Sequence, residues 1–335
     1  MQDHISLKPY NTFGIEVFAE HFIKVECLVS LKEALLWAQR QNLPVLLLGG
    51  GSNMVLTQDV KGLVIHLAFL GREVIEEGGE AVVVEAKAGE NWHRFVEWTL
   101  EQGFNGLENL SLIPGTVGAS PVQNVGAYGV EIKDCMHSLT ALDRKTMQVV
   151  EMQVAECDFA YRESLFKRDK DRWVILAVRF NLTKSNVVHL GYGPVRDRLL
   201  AEGIEAPTAK DVGRVISAIR REKLPNPSEL GNAGSFFKNP VVSGAKAYEL
   251  SQRFENLVQY PLVGGQVKLA AGWLIEQAGL KGYRVGDAGV HRLQALVLVN
   301  YGSATGKEIL ALAEHVKKTV LEHFGVALEI EPNVI

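Results

Sequence analysis

PGTVGASPVQNVGAYG, residues 114–129, is a long stretch of small residues in which four of the sixteen are glycine. Glycine is costly in regular structure, so a chain keeps it where φ must be positive or where backbone passes close to another group. Gln123 and Asn124 add two amides that can read the donors and acceptors of a ring edge. A tight surface loop is the simpler alternative. The length of the stretch and its lack of charge favour backbone lying flat against a planar polar ligand.

A second glycine-rich turn, GGGSN at residues 49–53, follows the apolar run Val45–Leu48. Its backbone N–H groups can converge on an anion, and Ser52 and Asn53 add further donors. It is not a Rossmann fingerprint, because Met54 replaces the third glycine and neither a helix signal nor a ribose-binding acid follows. Taken alone, a strand-to-strand turn explains it equally well. Together with residues 114–129, it predicts a dinucleotide bound outside a Rossmann fold.

Composition excludes several classes of protein. The chain has 335 residues, 47% of them hydrophobic, and a formal net charge of −4 without a basic block, so nucleic acid is not an expected partner. No apolar run is long enough to span a membrane, and the first residues lack the apolar core of a signal peptide. Three cysteines without a CxxC motif indicate reduced thiols, and nine histidines show no paired ligand spacing. We therefore expect a cytoplasmic protein without a metal ion.

The order of predicted elements indicates an α+β fold in three parts. Strands are expected at 45–48, 62–67, 81–88, 138–142, 149–152 and 173–182. Helices are expected after the capping residues Ser30, Asn91 and Thr208. The pair Pro225 and Pro227 marks a boundary after the third helix. We predict a small α/β unit at 1–68, a strand-rich unit at 69–206 and a C-terminal domain at 207–335.

The C-terminal part carries further helix and strand signals. Helices are predicted near 243–255 and 268–278, and strands at 295–300 and 326–334. GSATGKE at 302–308 resembles a Walker loop, but its spacing is one residue short and Glu308 stands where Ser or Thr must reach Mg²⁺. We interpret Thr305 to Glu308 as a capping box that opens a helix ending at Gly325.

Cationic side chains occur in two segments that could contact an anion. Arg162 in YRES could be a surface charge, or it could present a planar fork to a carboxylate or phosphate. Arg220, Arg221 and Lys223 lie at a predicted helix end, where cations suit the helix dipole without any ligand.

Two further segments carry groups suited to proton transfer. Ser235 lies between Gly234 and two phenylalanines, and a hydroxyl so placed can donate a proton at a shielded centre, although most such serines only form turns. Glu329 and Glu331 are expected on one face of the final strand, where they are solvated unless that face lines a cleft.

Taken together, these segments resemble the UDP-N-acetylenolpyruvoylglucosamine reductase family along almost the whole chain. YRES and the Gly191-Tyr192-Gly193 loop are similar to the branch that closes a tyrosine loop over its substrate. The matching segments are NTFGI (11–15), GGGSN (49–53), AGENWH (88–93), GLENLSLIPGTVGASPVQNVGAYG (106–129), YRESLFK (161–167), KLPNP (223–227), GNAGSFFKNP (231–240), KLAAGWLIEQAGLKG (268–282) and HRLQALVLVN (291–300).

The resemblance implies a flavin-binding module of the vanillyl-alcohol oxidase type, made of two subdomains, followed by a C-terminal substrate-binding domain. It implies FAD as cofactor and NADPH as reductant, and the two glycine-rich loops contain no His or Cys for a covalent flavin link. The expected FAD-binding residues are Gly49, Gly50, Gly51, Ser52, Asn53, Pro114, Gly115, Gly118, Ala119, Ser120, Gln123, Asn124, Gly126 and Ala127.

The resemblance also implies roles in reducing the enolpyruvyl group of a UDP-sugar. Ser235 would be the general acid, Arg162 would bind the carboxylate and stabilise developing charge, and Glu331 would complete the site. Substrate contacts are expected from Tyr192, Lys223, Asn239, Lys268, Lys281 and Gln294.

The chain departs from the family pattern at two places. Thr116 and Ala119 stand where members usually carry Cys or Thr and Ser, so one flavin hydrogen bond is expected to be missing at 119. The tail reads LEIEPNVI, and aligning it on its Glu-Pro pair would place Asn333, rather than Glu331, at the catalytic position. We prefer the ungapped alignment, which selects Glu331.

Two other functions remain open at this point. A sugar or lactone oxidase would share the flavin loops but gives no reason for the YRES, GSFFKNP and C-terminal Glu segments. A non-catalytic nucleotide-sugar-binding protein would not need Arg162, Ser235 and Glu331 together. We expect the chain to act on small molecules as a monomer.

Overall fold

The computed structural model describes residues 1–335 and separates into two compact units. The first unit comprises Met1–Ile5, Ala19–Gly50 and Lys61–Glu222. The second unit comprises Ser6–Phe18, Gly51–Val60 and Lys223–Ile335. The chain therefore contributes three separate segments to each unit.

Helices and strands alternate irregularly along the chain. The helices are α1 (Leu28–Arg40), α2 (Trp92–Glu101), α3 (Ile132–Cys135), α4 (Leu165–Arg168), α5 (Gly193–Ala201), α6 (Ala209–Lys223), α7 (Gly244–Arg253), α8 (Ala271–Gln277) and α9 (Gly306–Phe324). The strands are β1 (Gln2–Ser6), β2 (Phe18–Val25), β3 (Val45–Leu48), β4 (Met54–Val55), β5 (Val60–Leu67), β6 (Arg72–Gly78), β7 (Ala81–Lys87), β8 (Gly126–Ala127), β9 (Val130–Glu131), β10 (Met136–Asp143), β11 (Gln148–Gln153), β12 (Trp173–Thr183), β13 (Gly231–Ser235), β14 (Val241–Ser243), β15 (Gln259–Pro261), β16 (Gln266–Leu269), β17 (Arg284–Val285), β18 (Ala288–Val290), β19 (Val297–Asn300) and β20 (Asn333–Val334).

The first unit contains a small sheet and a large one. The small sheet has the order β1-β2-β5-β3, in which β3 runs parallel to β5 with Val45 opposite Leu63. Its core packs α1 through Leu31 and Leu35 against the buried face of β5. The strand predicted at 45–48 is therefore confirmed, although only Leu48 is fully buried and the other three residues are half-buried.

The large sheet of the first unit is antiparallel, in the order β11-β10-β12-β7-β6. Helix α2 packs its apolar stripe against this sheet, and Trp92, Phe95 and Phe180 form a buried aromatic cluster with ring centroids 5.3–6.2 Å apart. Full burial of such rings is among the largest apolar contributions to stability. Because α2 begins directly at this cluster, its first turn is held rigidly.

The second unit is built around the sheet β13-β19-β18-β17, with a second sheet in the order β14-β16-β15. Residues 6–18 belong to this unit because the Asn232 N–H donates to the Thr12 carbonyl at 3.0 Å and the Asn300 Nδ2 donates to the Phe13 carbonyl at 3.0 Å. β20 pairs in parallel with β4, which places Asn333 opposite Met54. Three distant parts of the sequence thus complete one core.

Most predicted helix starts are confirmed. Asn91 accepts from the Arg94 N–H, Thr208 and Asp211 cap α6 reciprocally, and Thr305 forms a capping box with Glu308. The prediction of a cap at Ser30 is wrong. Helix α1 already begins at Leu28, and the Ser30 hydroxyl donates back to the Cys27 carbonyl at 2.9 Å.

The predicted final strand at 326–334 is also wrong for most of its length. Only Asn333 and Val334 form a strand, and a single bridge joins Ile330 to Phe237. The tail is held by successive partners on different elements, so no regular ladder forms. Glu329 is ion-paired with Lys238 at 2.9 Å.

The chain combines helices with mainly antiparallel sheets, which agrees with an α+β fold. The predicted boundaries after residues 68 and 206 stay predictions. Among all the helices, none combines the length and apolar character needed to cross a bilayer.

Candidate active site

The loop at 114–129 has little regular structure. It contains a short 3₁₀ turn at Val117–Ala119 and ends in the two-residue hairpin of β8 and β9. Gly115 has a φ of +117°, and Asn124 and Tyr128 adopt the left-handed conformation, which is uncommon for residues with a side chain. Such a backbone persists only where its surroundings fix it.

Within the first unit, this loop lies directly against the end of β3. A Cβ atom on Gly50 would lie 2.9 Å from the Gly115 Cα, and one on Gly49 would lie 2.7 Å from the Thr116 Oγ1. Glycine at 49 and 50 therefore allows the two loops to approach each other closely. Gly50, Pro114 and Ala119 are exposed, so this surface presents small groups and backbone, which suits a planar ring system.

Residues 51–53 belong to the second unit. Gly51 has a φ of +59°, and a Cβ there would lie 1.9 Å from the Tyr10 carbonyl oxygen, so only glycine fits. The Asn53 carbonyl accepts from the Asn333 N–H at 3.0 Å. The turn leads into β4 without a helix, which agrees with the absence of a Rossmann fingerprint.

Two polar side chains of the 114–129 loop are used to shape the loop itself. The Ser120 hydroxyl donates to the Val117 carbonyl at 2.8 Å. Asn124 is fully buried, its Nδ2 donates to Glu131 and to the Ala160 carbonyl, and its Oδ1 accepts from the Lys133 N–H. These bonds occupy the amide of Asn124, so a contact between that amide and a ligand stays a prediction. Gln123 is half-buried.

The YRES segment braces the same loop. The Ser164 hydroxyl caps α4 and donates to the Val122 carbonyl. The Arg162 Nη2 donates to the Gly126 carbonyl at 2.9 Å, and its backbone, with a φ of +56°, accepts from the Lys167 ammonium at 3.0 Å. Arg162 therefore sits against the predicted flavin loop with its guanidinium in a fixed position.

Tyr192 packs against the end of this loop at Tyr128. Its ring meets that of Tyr128 edge to face at a centroid distance of 5.1 Å, and 39% of Tyr192 remains exposed. Arg220 hydrogen bonds to Tyr128, and its Nε donates to the Leu112 carbonyl at 3.2 Å. Burial lowers the pKa of Arg220 and raises that of Tyr128. The Arg220 cation thus lies beside the Tyr128 phenol, which in turn contacts the ring of Tyr192.

The second unit brings together Ser235 and Glu331. Gly234 has a φ of +71°, which bends β13 where it ends at Ser235, and Phe236 and Phe237 are fully buried behind it. The Glu331 N–H donates to the carbonyl of Phe236 at 2.9 Å. The backbone of Glu331 therefore lies next to the residue that follows Ser235, and both side chains are half-buried.

Three predicted substrate-binding residues lie beside this segment. The Asn239 Oδ1 accepts from the Ala271 N–H at 2.9 Å. Lys268 pairs with Val241 across the β14–β16 ladder. Gln294 lies two residues before Leu296, whose carbonyl accepts from the Phe236 N–H. The other two predicted residues have different surroundings. Lys223 is exposed at the end of α6, and the Lys281 ammonium pairs with Glu276 at 2.8 Å.

Sequence reasoning missed the structural importance of Arg220 and Tyr128. Arg220 was interpreted as a helix-end cation, although it follows Ile216 by four residues on the same buried stripe of α6. That spacing is a signal the sequence did contain. Tyr128 offered no comparable signal, because its partners Tyr192 and Arg220 are distant in sequence.

Comparisons with known proteins give the family. Residues 226–335 match the model of the UDP-N-acetylenolpyruvoylglucosamine reductase C-terminal domain, and residues 19–152 match an FAD binding domain. A UDP-N-acetylenolpyruvoylglucosamine reductase of Pseudomonas putida is 59% identical over 99% of this chain and 98% of its own length. The chain belongs to the UDP-N-acetylenolpyruvoylglucosamine reductase family.

Solved structures agree with this assignment. The reductase of Thermus caldophilus superposes with a TM-score of 0.68 at 25% identity, covering 99% of this chain and 98% of that one. A vanillyl-alcohol-oxidase-type flavoprotein from Myceliophthora thermophila covers 95% of this chain and 73% of its own at a TM-score of 0.50 and 12% identity, which shows the fold alone. This member of the reductase family is an FAD-dependent oxidoreductase with that flavin-binding fold.

Replacing Gly50 with alanine is expected to weaken FAD binding more than tenfold in this reductase-family chain. The new Cβ would force the backbone of Gly115 to move, and such overpacking costs about 1–3 kcal/mol. Gly78→Ala is the matched control, since a Cβ there meets nothing within 4 Å. Fluorescence titration of the apoprotein with FAD measures both. Equal affinities for the two variants would contradict the close approach of the two loops.

Proposed function

We propose that the chain reduces the enolpyruvyl group of UDP-N-acetylenolpyruvoylglucosamine with NADPH, giving UDP-N-acetylmuramate for peptidoglycan synthesis. The observation that carries the proposal is the adjacency of Ser235 and Glu331 in the second unit, in a chain that shares 59% identity with a named reductase. A flavin-binding loop alone would fit many oxidoreductases. A serine hydroxyl and a glutamate carboxyl group, placed near each other beside the bend at Gly234, fit a reaction that needs a positioned proton donor.

When bound, FAD would supply the hydride-transfer chemistry that links NADPH to the terminal vinyl carbon of the substrate. The backbone at 49–50 and 114–119 would hold it in the first unit, where only small groups face outward. The remaining steps depend on side chains of this chain.

Ser235 is the proposed proton donor to the carbon that carries the carboxylate. Addition of hydride at the vinyl carbon leaves an electron pair on that neighbouring carbon, and the Ser235 proton neutralises it. A serine hydroxyl is a weak acid, so its environment must favour transfer. The bend at Gly234 and the buried ring of Phe236 support this role, because they hold the backbone on both sides of Ser235.

Arg162 is the proposed partner of the substrate carboxylate. Its Nη2 is already anchored on the Gly126 carbonyl, so the guanidinium loses little freedom when it binds an anion. Negative charge that spreads into the carboxylate during the reaction is then met by a preorganised cation, which is often the largest catalytic contribution.

Glu331, rather than Asn333, is the proposed third catalytic residue. The bond between the Glu331 N–H and the Phe236 carbonyl supports this choice, because it keeps Glu331 beside Ser235. Asn333 instead pairs with Met54 in the β20–β4 ladder and is exposed. The nucleotide portion of the substrate would be bound by Tyr192, Lys223, Asn239, Lys268, Lys281 and Gln294.

The deciding experiment is an anaerobic visible spectrum of the purified FAD-loaded protein. NADPH should bleach the flavin absorbance, and addition of the enolpyruvyl sugar nucleotide should restore it. A spectrum that bleaches with NADPH and returns only with oxygen would favour an oxidase. A spectrum that NADPH does not change would remove NADPH as the reductant. Size-exclusion chromatography in the same preparation tests the expected monomer.

A further inference from the structure

The first turn of α2 contacts residues 110–116, the segment that leads into the proposed FAD loop, at several points. The Trp92 Nε1 donates to the Leu110 carbonyl at 2.9 Å, and the Trp92 N–H donates to the Gly115 carbonyl at 3.1 Å. A β-bridge joins Asn91 to Thr116. Residues 110–116 therefore take their shape from a helix terminus that is itself locked into the aromatic core.

Leu112 is the strained point of this segment. Its φ is +58°, a conformation that is unfavourable for a residue with a side chain and persists only where neighbours enforce it. Both polar groups of its backbone are held by side chains from two helices. The Leu112 N–H donates to the His93 Nδ1 at 3.0 Å, and its carbonyl accepts from the Arg220 Nε at 3.2 Å.

The contact with Leu112 fixes the protonation state of His93. A backbone N–H can only donate, so Nδ1 must carry a lone pair and the ring proton must lie on Nε2. Nε2 faces the Glu97 carboxylate at 3.3 Å, which suits a donor. An imidazolium carries a proton on both nitrogens. Its Nδ1–H would then face the Leu112 N–H, and two donors cannot form a hydrogen bond.

We propose that His93 is a positioning residue that keeps the start of the FAD loop in its binding conformation only while its imidazole is neutral. The proposal rests on the assignment of residues 114–129 to FAD. When the bond to His93 is lost, only the bond from Arg220 to its carbonyl still holds the strained backbone of Leu112. Leu112 lies two residues before Pro114, at the start of the loop. The loop then relaxes and FAD affinity falls.

The surroundings of His93 decide the pH range of this effect. Burial lowers its pKa from the ordinary 6.5, Arg220 and Arg221 on α6 lower it further, and Glu97 on α2 opposes them. The unfolded chain therefore takes up this proton before the folded chain does. Stability and loop order are retained above pH 6.5 and are lost as the pH falls through the lowered pKa.

The test is an FAD titration of the apoprotein between pH 8 and pH 5, with two variants. If only the neutral form binds, the wild-type dissociation constant rises about tenfold for each pH unit below the pKa of His93. His93→Asn places an amide oxygen where Nδ1 lies and cannot titrate, so it should bind FAD with little pH dependence. His93→Leu removes the acceptor and should bind at least tenfold more weakly even at pH 8.

A matched control separates His93 from other buried histidines. His66 also has a pKa lowered by burial, but it lies on β5, so His66→Asn should keep the wild-type pH dependence. A His93→Asn curve as steep as that of the wild type would overturn the proposal. So would a His93→Leu variant that binds FAD as tightly as the wild type at pH 8.

Hydrogen exchange of the apoprotein provides a readout that needs no flavin. At pH 5, the amides of residues 110–116 should exchange faster in the wild type than in His93→Asn, and equal rates would contradict the positioning role. If exchange depends on His93 but FAD affinity does not, the assignment of the loop to FAD fails instead. The two failures are therefore distinguishable, and His93→Asn keeps the test valid even if His93→Leu does not fold.

Discussion

Ser235→Ala should slow turnover about 1,000-fold, the middle of the range that a positioned general acid contributes. The side chain is half-buried at the bend of Gly234, and alanine changes its volume little, so folding should be preserved. Stopped-flow absorbance separates the two half-reactions. Reduction of the flavin by NADPH should keep its wild-type rate, whereas reoxidation by the enolpyruvyl substrate should slow.

Ser251→Ala serves as the matched control for this prediction. The Ser251 hydroxyl donates to the Tyr248 carbonyl within helix α7, in the same unit as Ser235. Its turnover should stay within twofold of the wild type. If Ser235→Ala reoxidises at the wild-type rate, another group supplies the proton and Glu331 becomes the candidate to examine.

Arg162→Lys should lower kcat/KM about 100- to 1,000-fold, because a transition-state donor of this kind is typically worth that much. Lysine keeps the charge, but it cannot offer two parallel donors to a carboxylate while also bonding the Gly126 carbonyl. Steady-state kinetics should show a fall in kcat as well as a rise in KM for the sugar nucleotide.

Arg168→Lys is the corresponding control, since Arg168 is an exposed residue of α4 that pairs with Asp158. Exposed pairs of this kind contribute little, so its kinetics should match the wild type. An Arg162→Lys variant within threefold of the wild type would mean that the carboxylate is bound elsewhere.

Local signals predicted the elements whose causes are local. The cap at Asn91 and the capping box at Thr305 each depend on neighbours within four residues, and each is confirmed. The Ser30 pattern also looked local, but the helix begins earlier, at Leu28, with Cys27 as its N-cap. A capping pattern alone does not fix its own register.

Features that depend on distant partners could not be predicted in this way. The end of the chain alternates in burial from Val326 to Glu329 like a strand, yet its backbone bonds go to Lys238, Phe236 and Asn53 in turn. The candidate site shows the same limit. The residue types of the loop at 114–129 indicated a ligand, but the approach of Gly50 to Gly115 joins positions that are 65 residues apart. The resemblance to a family, rather than periodicity, selected Ser235 and Arg162.

The segmented construction of the second unit has a consequence for biosynthesis. Residues 6–18 and 51–60 leave the ribosome early, but their partners on β13, β19 and β20 are made about 200 residues later or more. At roughly 5–20 residues per second, residue 60 waits about 15–55 s for the last strand. During that time the apolar side chains of Phe13, Ile15 and Leu56 have no native core to enter. These early segments are therefore where a nascent chain most needs protection by a chaperone.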